Sequence, residues 1–335
     1  MTSAIDFQRV AIVGAGAIGG WLGVHLARTG CTLSALARGD TLAALQHEGL
    51  QLHQDGQLLA APVTAAARAE DLGVQDLVIV AVKAQSLPTL ARGIVPLLCP
   101  RTVVLTAMNG VPWWFFQGFG GARAGTPLKT VDPDGEIERC VQAHHVIGGV
   151  VHASCSVDAP GVVRHHFGNG LIVGEPSGEA SERVTALVSL LQRAGLHATL
   201  SPQIQKDVWY KLWGNMTVNP VSALTGATTD RILGDELVRD FISRVMLEAK
   251  EIGARIGIPI DQQPEDRHAV TRKLGAFRTS MLQDVQANKP VELDALVTVV
   301  RELGQLTGVP TPFTDALLGL SRLQAQTLGL YPSAQ

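Results

Sequence analysis

Cysteine is scarce and unclustered in this chain: Cys31, Cys99, Cys140 and Cys155 are its four thiols, with no CxxC pair among them. That spacing argues against a disulfide framework or a zinc site and for buried, reduced thiols. A surplus of positive charge is missing too, since 27 Lys and Arg face 30 Asp and Glu, a formal net of -3 spread along the chain. No basic face offers itself to nucleic acid or to an anionic membrane, so small-molecule partners are expected. Although 46% of the residues are hydrophobic, their runs are short, and none approaches the roughly 20 residues of a membrane span. The opening MTSAIDFQRVAIVG has neither the basic nor the long apolar region of a secretory signal, which places the chain in the cytoplasm. Adjacent histidines on a strand point to opposite faces, so the pairs His144/His145 and His165/His166 make poor chelates and no metal site is read.

At 335 residues the chain exceeds what one core usually supports, and two domains are expected, residues 1–200 and 201–335. The first alternates β-branched runs with amphipathic stretches, the mark of βαβ units and a mostly parallel sheet. Its clearest strands are Val10 to Val13, Thr32 to Leu36, Leu77 to Val82 and Val103 to Ala107. Further apolar runs over 146–174 read as antiparallel strands extending the sheet. An amphipathic helix from Glu179 to Arg193 and a brief strand, LHATL, precede a boundary at Ser201 and Pro202. Beyond it the period is helical: Gln203 to Val218, Glu236 to Ile256, Pro264 to Ala287, Val291 to Thr307 and a last helix after Thr311 and Pro312. The fold class is therefore α/β, a Rossmann-type N-terminal domain with an all-α C-terminal domain.

Gly14, Gly16 and Gly19 form GxGxxG directly after the first strand and before the helical pattern Ile18 to Arg28. In that context Gly14 serves the tight turn, Gly16 a close approach of pyrophosphate to the backbone, and Gly19 close packing of helix on strand. The segment Gly14, Ala15, Gly16, Ala17, Ile18, Gly19 thus reads as a dinucleotide site at a helix N-terminus. An acid at the end of the second strand would mark NAD, and none stands there. Arg38 does, with a guanidinium suited to a 2′-phosphate, so NADP is favoured. Asp40 reads as the N-cap of a helix over Thr41 to Glu48. Lys83 ends the strand Leu77 to Val82, where ligands of open α/β sheets bind, and is a second candidate for cofactor contact.

In KDVWYKLWGNMTVNPVSALTG, Lys211, Asn215 and Asn219 recur every four residues and share one helix face. An ammonium and two amides at a domain junction are costly unless a ligand or network satisfies them. A partly desolvated lysine, its pKa lowered toward neutrality, can protonate the oxygen of a carbonyl that takes a hydride. On spacing alone, a lysine that merely snorkels outward is an equal alternative. Ser280 falls within one helix and Glu292 in the first turn of the next. A carboxylate there is also a common structural choice, and physics alone does not make it catalytic.

GAGAIGG, the AR ending at Arg38, AVK at Lys83, NG at Asn109, WYKLWGNMTVNPVSALTG, and SMLQDV followed by VELDAL resemble the ketopantoate reductase (2-dehydropantoate 2-reductase) family over nearly the whole chain. The resemblance implies an active site in a cleft between the two domains, with Lys211 as general acid and Asn215 and Asn219 orienting it and binding substrate. It also implies Ser280 on the substrate carboxylate, Glu292 on the substrate hydroxyl, Asn109 near the nicotinamide, and Arg38 and Lys83 near the adenosine phosphate. The reaction implied is NADPH-dependent reduction of 2-dehydropantoate to D-pantoate, on the route to pantothenate and coenzyme A. The alternatives are a reductase of a bulkier 2-oxo acid and, from another class, a non-catalytic NADP-binding sensor. Two features depart from the family: Thr228, Thr229 and Asp230 stand where another asparagine is common, and VPWWFFQGFGGARAG follows Asn109 directly. The aromatic run Trp113 to Phe116 reads equally as a reshaped substrate pocket, a hydrophobic plug, or the contact of a homodimer.

Overall fold

Both faces of the first strand, β1 (Arg9–Val13), are apolar from Val10 onward, so it has to lie inside a sheet covered on both sides. In the computed structural model, which describes residues 5–332, it does. Residues 1–4, part of the opening read above for a signal, and 333–335 lie outside that range. β1 pairs in parallel with β2 (Thr32–Leu36) and β6 (Leu77–Val80), and β6 pairs in parallel with β7 (Val103–Thr106). β7 runs parallel to β8 (Val146–Ala159), which turns back antiparallel into β9 (Val162–Gly174). The near end of β9 then takes β3 (Leu50–Gln54) in parallel, and its far end takes β10 (His197–Leu200). β4 (Gln57–Ala61) closes one edge, antiparallel to β3, and β5 (Thr64–Ala66) closes the other, parallel to β2. The sheet is mixed but mostly parallel.

Buried Trp21 and Leu22 of α1 (Ala17–Ala27) and Leu187 and Leu191 of α5 (Glu182–Arg193) cover one face of this sheet. α2 (Gly39–Glu48) follows β2, while α3 (Leu87–Ile94) and the short α4 (Glu136–Cys140) bury Leu87, Ala91, Ile94 and Ile137 in the core with Val78, Val80 and Val104 on the opposite face. After Leu200 the chain is helical: α6 (Ile204–Thr225), α7 (Thr229–Gly234), α8 (Glu236–Arg255), α9 (Pro264–Arg272), α10 (Ser280–Gln286), α11 (Val299–Thr307) and α12 (Pro312–Thr327). The second face of the sheet packs directly on these helices. Val80 and Val104 share one buried cluster with Trp209 and Trp213 of α6, Met246 of α8 and Val300 of α11. That continuous core fixes the carboxyl ends of β6 and β7 against α6.

Several boundaries differ from the sequence expectations: α6 continues past the expected end at Val218 to Thr225, with Pro220 inside it, and α5 starts at Glu182 rather than Glu179. The helix expected over Pro264 to Ala287 is two, because Gly275 takes a left-handed φ of +62° and the Thr279 hydroxyl then caps a new start, accepting from the Leu282 N–H at 3.2 Å. Ser280 is therefore the exposed first residue of α10 rather than a mid-helix position. The helix expected to begin at Val291 begins after Glu292 and opens with a π-helical turn, Asp294–Thr298. Asp40 is not an N-cap: Arg38 holds that position of α2, and Asp40 lies in the first turn, where its charge complements the helix dipole. His144 and His145 end a 3₁₀ turn ahead of β8, so the opposite-faces argument does not apply to them. Among the described residues no His, Cys, Asp and Glu side chains gather to hold a metal ion, and no helix is long and apolar enough to cross a membrane.

Candidate active site

The turn after β1 requires its glycines for three different steric reasons. Gly14 has a φ of +96°, and a Cβ there would lie 2.6 Å from Val82. At Gly19 a Cβ would lie 2.0 Å from the Gly14 carbonyl oxygen, so helix and strand approach as the motif predicts. A Cβ on Gly16 would meet nothing within 4 Å, which leaves its backbone open to an approaching ligand. Gly16 is the N-cap of α1 without a side-chain cap and Ala17 is the first residue of the helix, whose first-turn N–H groups have no intrahelical acceptor. Ala15 is buried and Ile18 packs into the sheet's core, so these two have only backbone to offer a ligand.

A groove of about 560 Å³ runs from Gly14 and Gly16 past Arg38 and Thr41 to Arg68, and Lys289 reaches it from the helical side. Lys83 does not join it. Its ammonium pairs with Asp284 at 2.6 Å and donates to the Pro290 carbonyl at 2.9 Å, so it ties β6 to the helical half instead of reaching toward Arg38.

Lys211 lies mid-way along the inner face of α6. It donates to Oδ1 of Asn109 at 2.9 Å and to the carbonyl of Val151 at 2.7 Å. Gly110 makes this possible: with a φ of +83° and a would-be Cβ only 2.3 Å from the Ala295 carbonyl, it presses the Asn109 loop onto the π-helical turn. Two of the three ammonium hydrogens are thereby used, and the third remains for a ligand. Burial pushes the Lys211 pKa down to about 8, with Glu292 opposing that shift and Arg267 adding to it. Glu292 is itself pushed up by burial, against the hydrogen bond it accepts from the Ala84 N–H at 3.0 Å. Lys211 and Glu292 influence one another, yet no ion pair within 4.0 Å joins them among the described residues.

Asn215 is half-buried and Asn219 buried on the same face. The side-chain hydrogen bonds of this part of α6 are those of Lys211, Trp213, Thr217 and Ser222, so both amides lack a protein partner among the described residues. Ser280 stands where α10 packs on α6. The structure thus gathers Lys211, Asn109 and Glu292 at the carboxyl ends of β6 and β7, with the two asparagines aligned along α6.

Comparison with known proteins decides the family. The profile of ketopantoate reductase PanE/ApbA matches residues 10–178, and that of its C-terminal part matches residues 203–325. A 2-dehydropantoate 2-reductase of Mesorhizobium japonicum is 48% identical, covering 97% of this chain and 100% of that protein. The chain belongs to the ketopantoate reductase family. A crystal structure from Ralstonia solanacearum MolK2, assigned as a ketopantoate reductase, is 56% identical with a TM-score of 0.94, covering 97% of this chain and 100% of that one. The ternary structure of D-mandelate dehydrogenase with NADH and anilino(oxo)acetate shares the fold at 22% identity and a TM-score of 0.82, covering 96% of this chain and 99% of that one.

Within this ketopantoate reductase fold the run Trp113 to Phe116 is core, not surface. Its four side chains are at most 4% exposed. Trp114 donates to the Thr106 hydroxyl at 3.2 Å and fills the space over Gly148, where a Cβ would meet its ring at 2.4 Å. Trp113 donates to the Val141 carbonyl at 3.3 Å, and Phe115 packs against Trp209 of α6 with ring centroids 6.3 Å apart. Buried rings cannot form a dimer contact. The cavity that Trp113 and Trp114 share with Asn109 is about 20 Å³, room for roughly one water rather than a larger substrate.

Several groups of this family member escaped the sequence. The Val151 carbonyl carries no side-chain signal, and Lys289, between two expected helices, belongs to no motif. Arg267 and His152 had no motif, although the Arg267 charge lowers the Lys211 pKa and the Lys211 charge in turn lowers that of His152.

Proposed function

We propose that this chain reduces a 2-oxo acid to the 2-hydroxy acid with NADPH, with 2-dehydropantoate to D-pantoate as the first candidate. The observation that carries the reading is the Lys211 ammonium, desolvated and anchored through two of its three hydrogens. A nicotinamide dinucleotide bound in the groove would supply the hydride. The open backbone at Gly16 fits its pyrophosphate, and Arg38, Arg68 and Lys289 line the same groove. With no acid ending β2, those cations favour a 2′-phosphate and hence NADP. Glu70 also lines the groove but pairs with Arg68 at 3.6 Å.

In this reading residues 1–200 bind the cofactor and residues 201–335 present the substrate side. Lys211 holds a proton at Nζ and gives it to the carbonyl oxygen as negative charge builds there. With a pKa of about 8 it is mostly protonated at neutral pH. Asn109 and Val151 fix the ammonium. Asn215 and Asn219 offer their unpaired amides to the substrate, Glu292 its carboxylate to the substrate hydroxyl, and Ser280 a hydroxyl to the carboxylate. The four cysteines are free thiols, which suits the reducing cytoplasm as its location. A homodimer is the assembly we favour, with Leu320 and Leu323 of α12, 61% and 64% exposed, as an apolar face for it.

The test is steady-state oxidation of NADPH and of NADH by the purified protein with 2-dehydropantoate, pyruvate and phenylglyoxylate. Efficient turnover of 2-dehydropantoate with NADPH supports the reading. Preference for phenylglyoxylate moves it to a bulkier acid, and no turnover of any acid points to the sensor alternative.

A further inference from the structure

Arg267 of α9 is a charge that rests on an aromatic ring but has no carboxylate partner among the described residues. Its guanidinium lies 5.4 Å from the ring centroid of Tyr210, and its Nε is buried with no hydrogen-bond partner. Burial holds its pKa below the usual arginine range. A guanidinium left in that condition is destabilising unless an anion completes it.

The seat of this side chain is built for it. Gly214 stands in the middle of α6, where glycine is a poor helix former, and a Cβ there would come within 2.8 Å of Arg267 Nε and 2.9 Å of one of its terminal nitrogens. Gly214 is three residues beyond Lys211, which is roughly 4.5 Å along a helix axis. The missing side chain therefore lets the guanidinium lie against α6 within one turn of Lys211, close enough for its charge to lower the Lys211 pKa. The charges acting on Lys211 are Arg267 from α9, which lowers its pKa, and Glu292 from the segment before the π-helical turn, which raises it, while His152 of β8 is pushed toward its neutral form by burial and by the two cations. Asp207 acts on His152. Positive groups are in excess at this point, and reduction of an uncharged ketone would need only one of them.

We infer that Arg267 is the carboxylate-binding residue for the 2-oxo acid, its planar fork pairing the two carboxylate oxygens while Lys211 faces the adjacent carbonyl oxygen. This rests on the 2-oxo acid reading above. The chemistry matches the spacing, because in a 2-oxo acid the carboxylate is bonded directly to the ketone carbon and its cation must stand next to the proton donor. A bidentate guanidinium also fixes the plane of the acid, which a lysine could not. Ser280 then adds an uncharged hydrogen bond to a carboxylate that Arg267 already neutralises.

The experiment compares wild type, Arg267→Gln, Arg267→Lys and Gly214→Ala on 2-dehydropantoate and on its uncharged primary amide, at saturating NADPH. Arg267→Gln should raise KM for the acid by about 10- to 100-fold, the scale of a charge-assisted pair, with a much smaller change for the amide. Arg267→Lys should recover part of the loss, and Gly214→Ala, which pushes the guanidinium off its seat, should follow Arg267→Gln in direction. Because Arg267 depresses the Lys211 pKa, its removal should also move the alkaline limb of the rate to higher pH, which a purely structural arginine would not do. Equal losses on acid and amide, or an unchanged KM for the acid, overturns the inference while the reductase reading stands. If wild type reduces neither compound, the reductase reading fails and the inference falls with it.

Discussion

Lys211 of α6 donates a 2.9 Å hydrogen bond to the side-chain oxygen of Asn109, a residue 102 positions earlier in the loop after β7. The bond crosses from the helical half to the carboxyl end of the sheet, so the Lys211 ammonium is held by the loop that follows β7. Gly110 and the Val111 N–H, which donates to the Ala295 carbonyl at 2.9 Å, keep that loop in place. Lys211 is thus positioned before any ligand arrives, as catalysis by preorganised groups requires.

The ionisation of Lys211 should set the alkaline limit of the reaction. Its pKa of about 8 means that the protonated, active form is lost as pH rises through that value, far below the roughly 10.4 of a free lysine. Glu292 raises the Lys211 pKa, so Glu292→Gln should move the alkaline limb to lower pH, opposite in sign to Arg267→Gln. A pH–rate series on the two variants checks this, and limbs that shift in the same direction would contradict the assigned charges.

Cofactor preference should divide between two sides of the groove. Arg38→Ala should weaken NADPH binding by roughly 1.5 to 3 kcal/mol, the scale of a charged hydrogen bond, and leave NADH nearly unchanged. Lys289→Ala should weaken NADPH as well, because Lys289 lines the groove from the helical half. Fluorescence titration with both nucleotides decides the matter. Equal losses for NADPH and NADH in Arg38→Ala would remove that residue from the 2′-phosphate.

The aromatic run should be a stability element. Trp114 is fully buried over Gly148 and bonded to Thr106, so Trp114→Ala should cost about 3 to 5 kcal/mol of folding free energy. Denaturant unfolding measures it. A variant of near-wild-type stability with altered substrate choice would return the run to the pocket.

The central strands were legible because they are apolar on both faces, and the GxGxxG turn because its three glycines answer three separate contacts. The Lys211 face was legible from its period of four. The hairpin of β3 and β4 carried a signal that the reading passed over, since Asp55 and Gly56, with φ of +51° and +75°, form the two-residue turn that such a pair favours. The break between α9 and α10 was masked by continuing helical composition. Arg267 and Lys289 could not be placed from sequence, because their meaning depends on which distant residues they meet: Gly214 for one, the groove beside Gly16 for the other.

The most direct test of proton delivery by Lys211 is single-turnover oxidation of NADPH with 2-dehydropantoate, followed from pH 6 to 10 in wild type and Lys211→Ala. A general acid typically contributes 10² to 10⁴-fold, so the variant should be slower by about that factor, with NADPH affinity little changed. The wild-type rate should fall with a midpoint near 8, set by Lys211, and the variant should lose that limb. A Lys211→Ala protein that keeps a near-wild-type rate and the same alkaline limb would contradict the account.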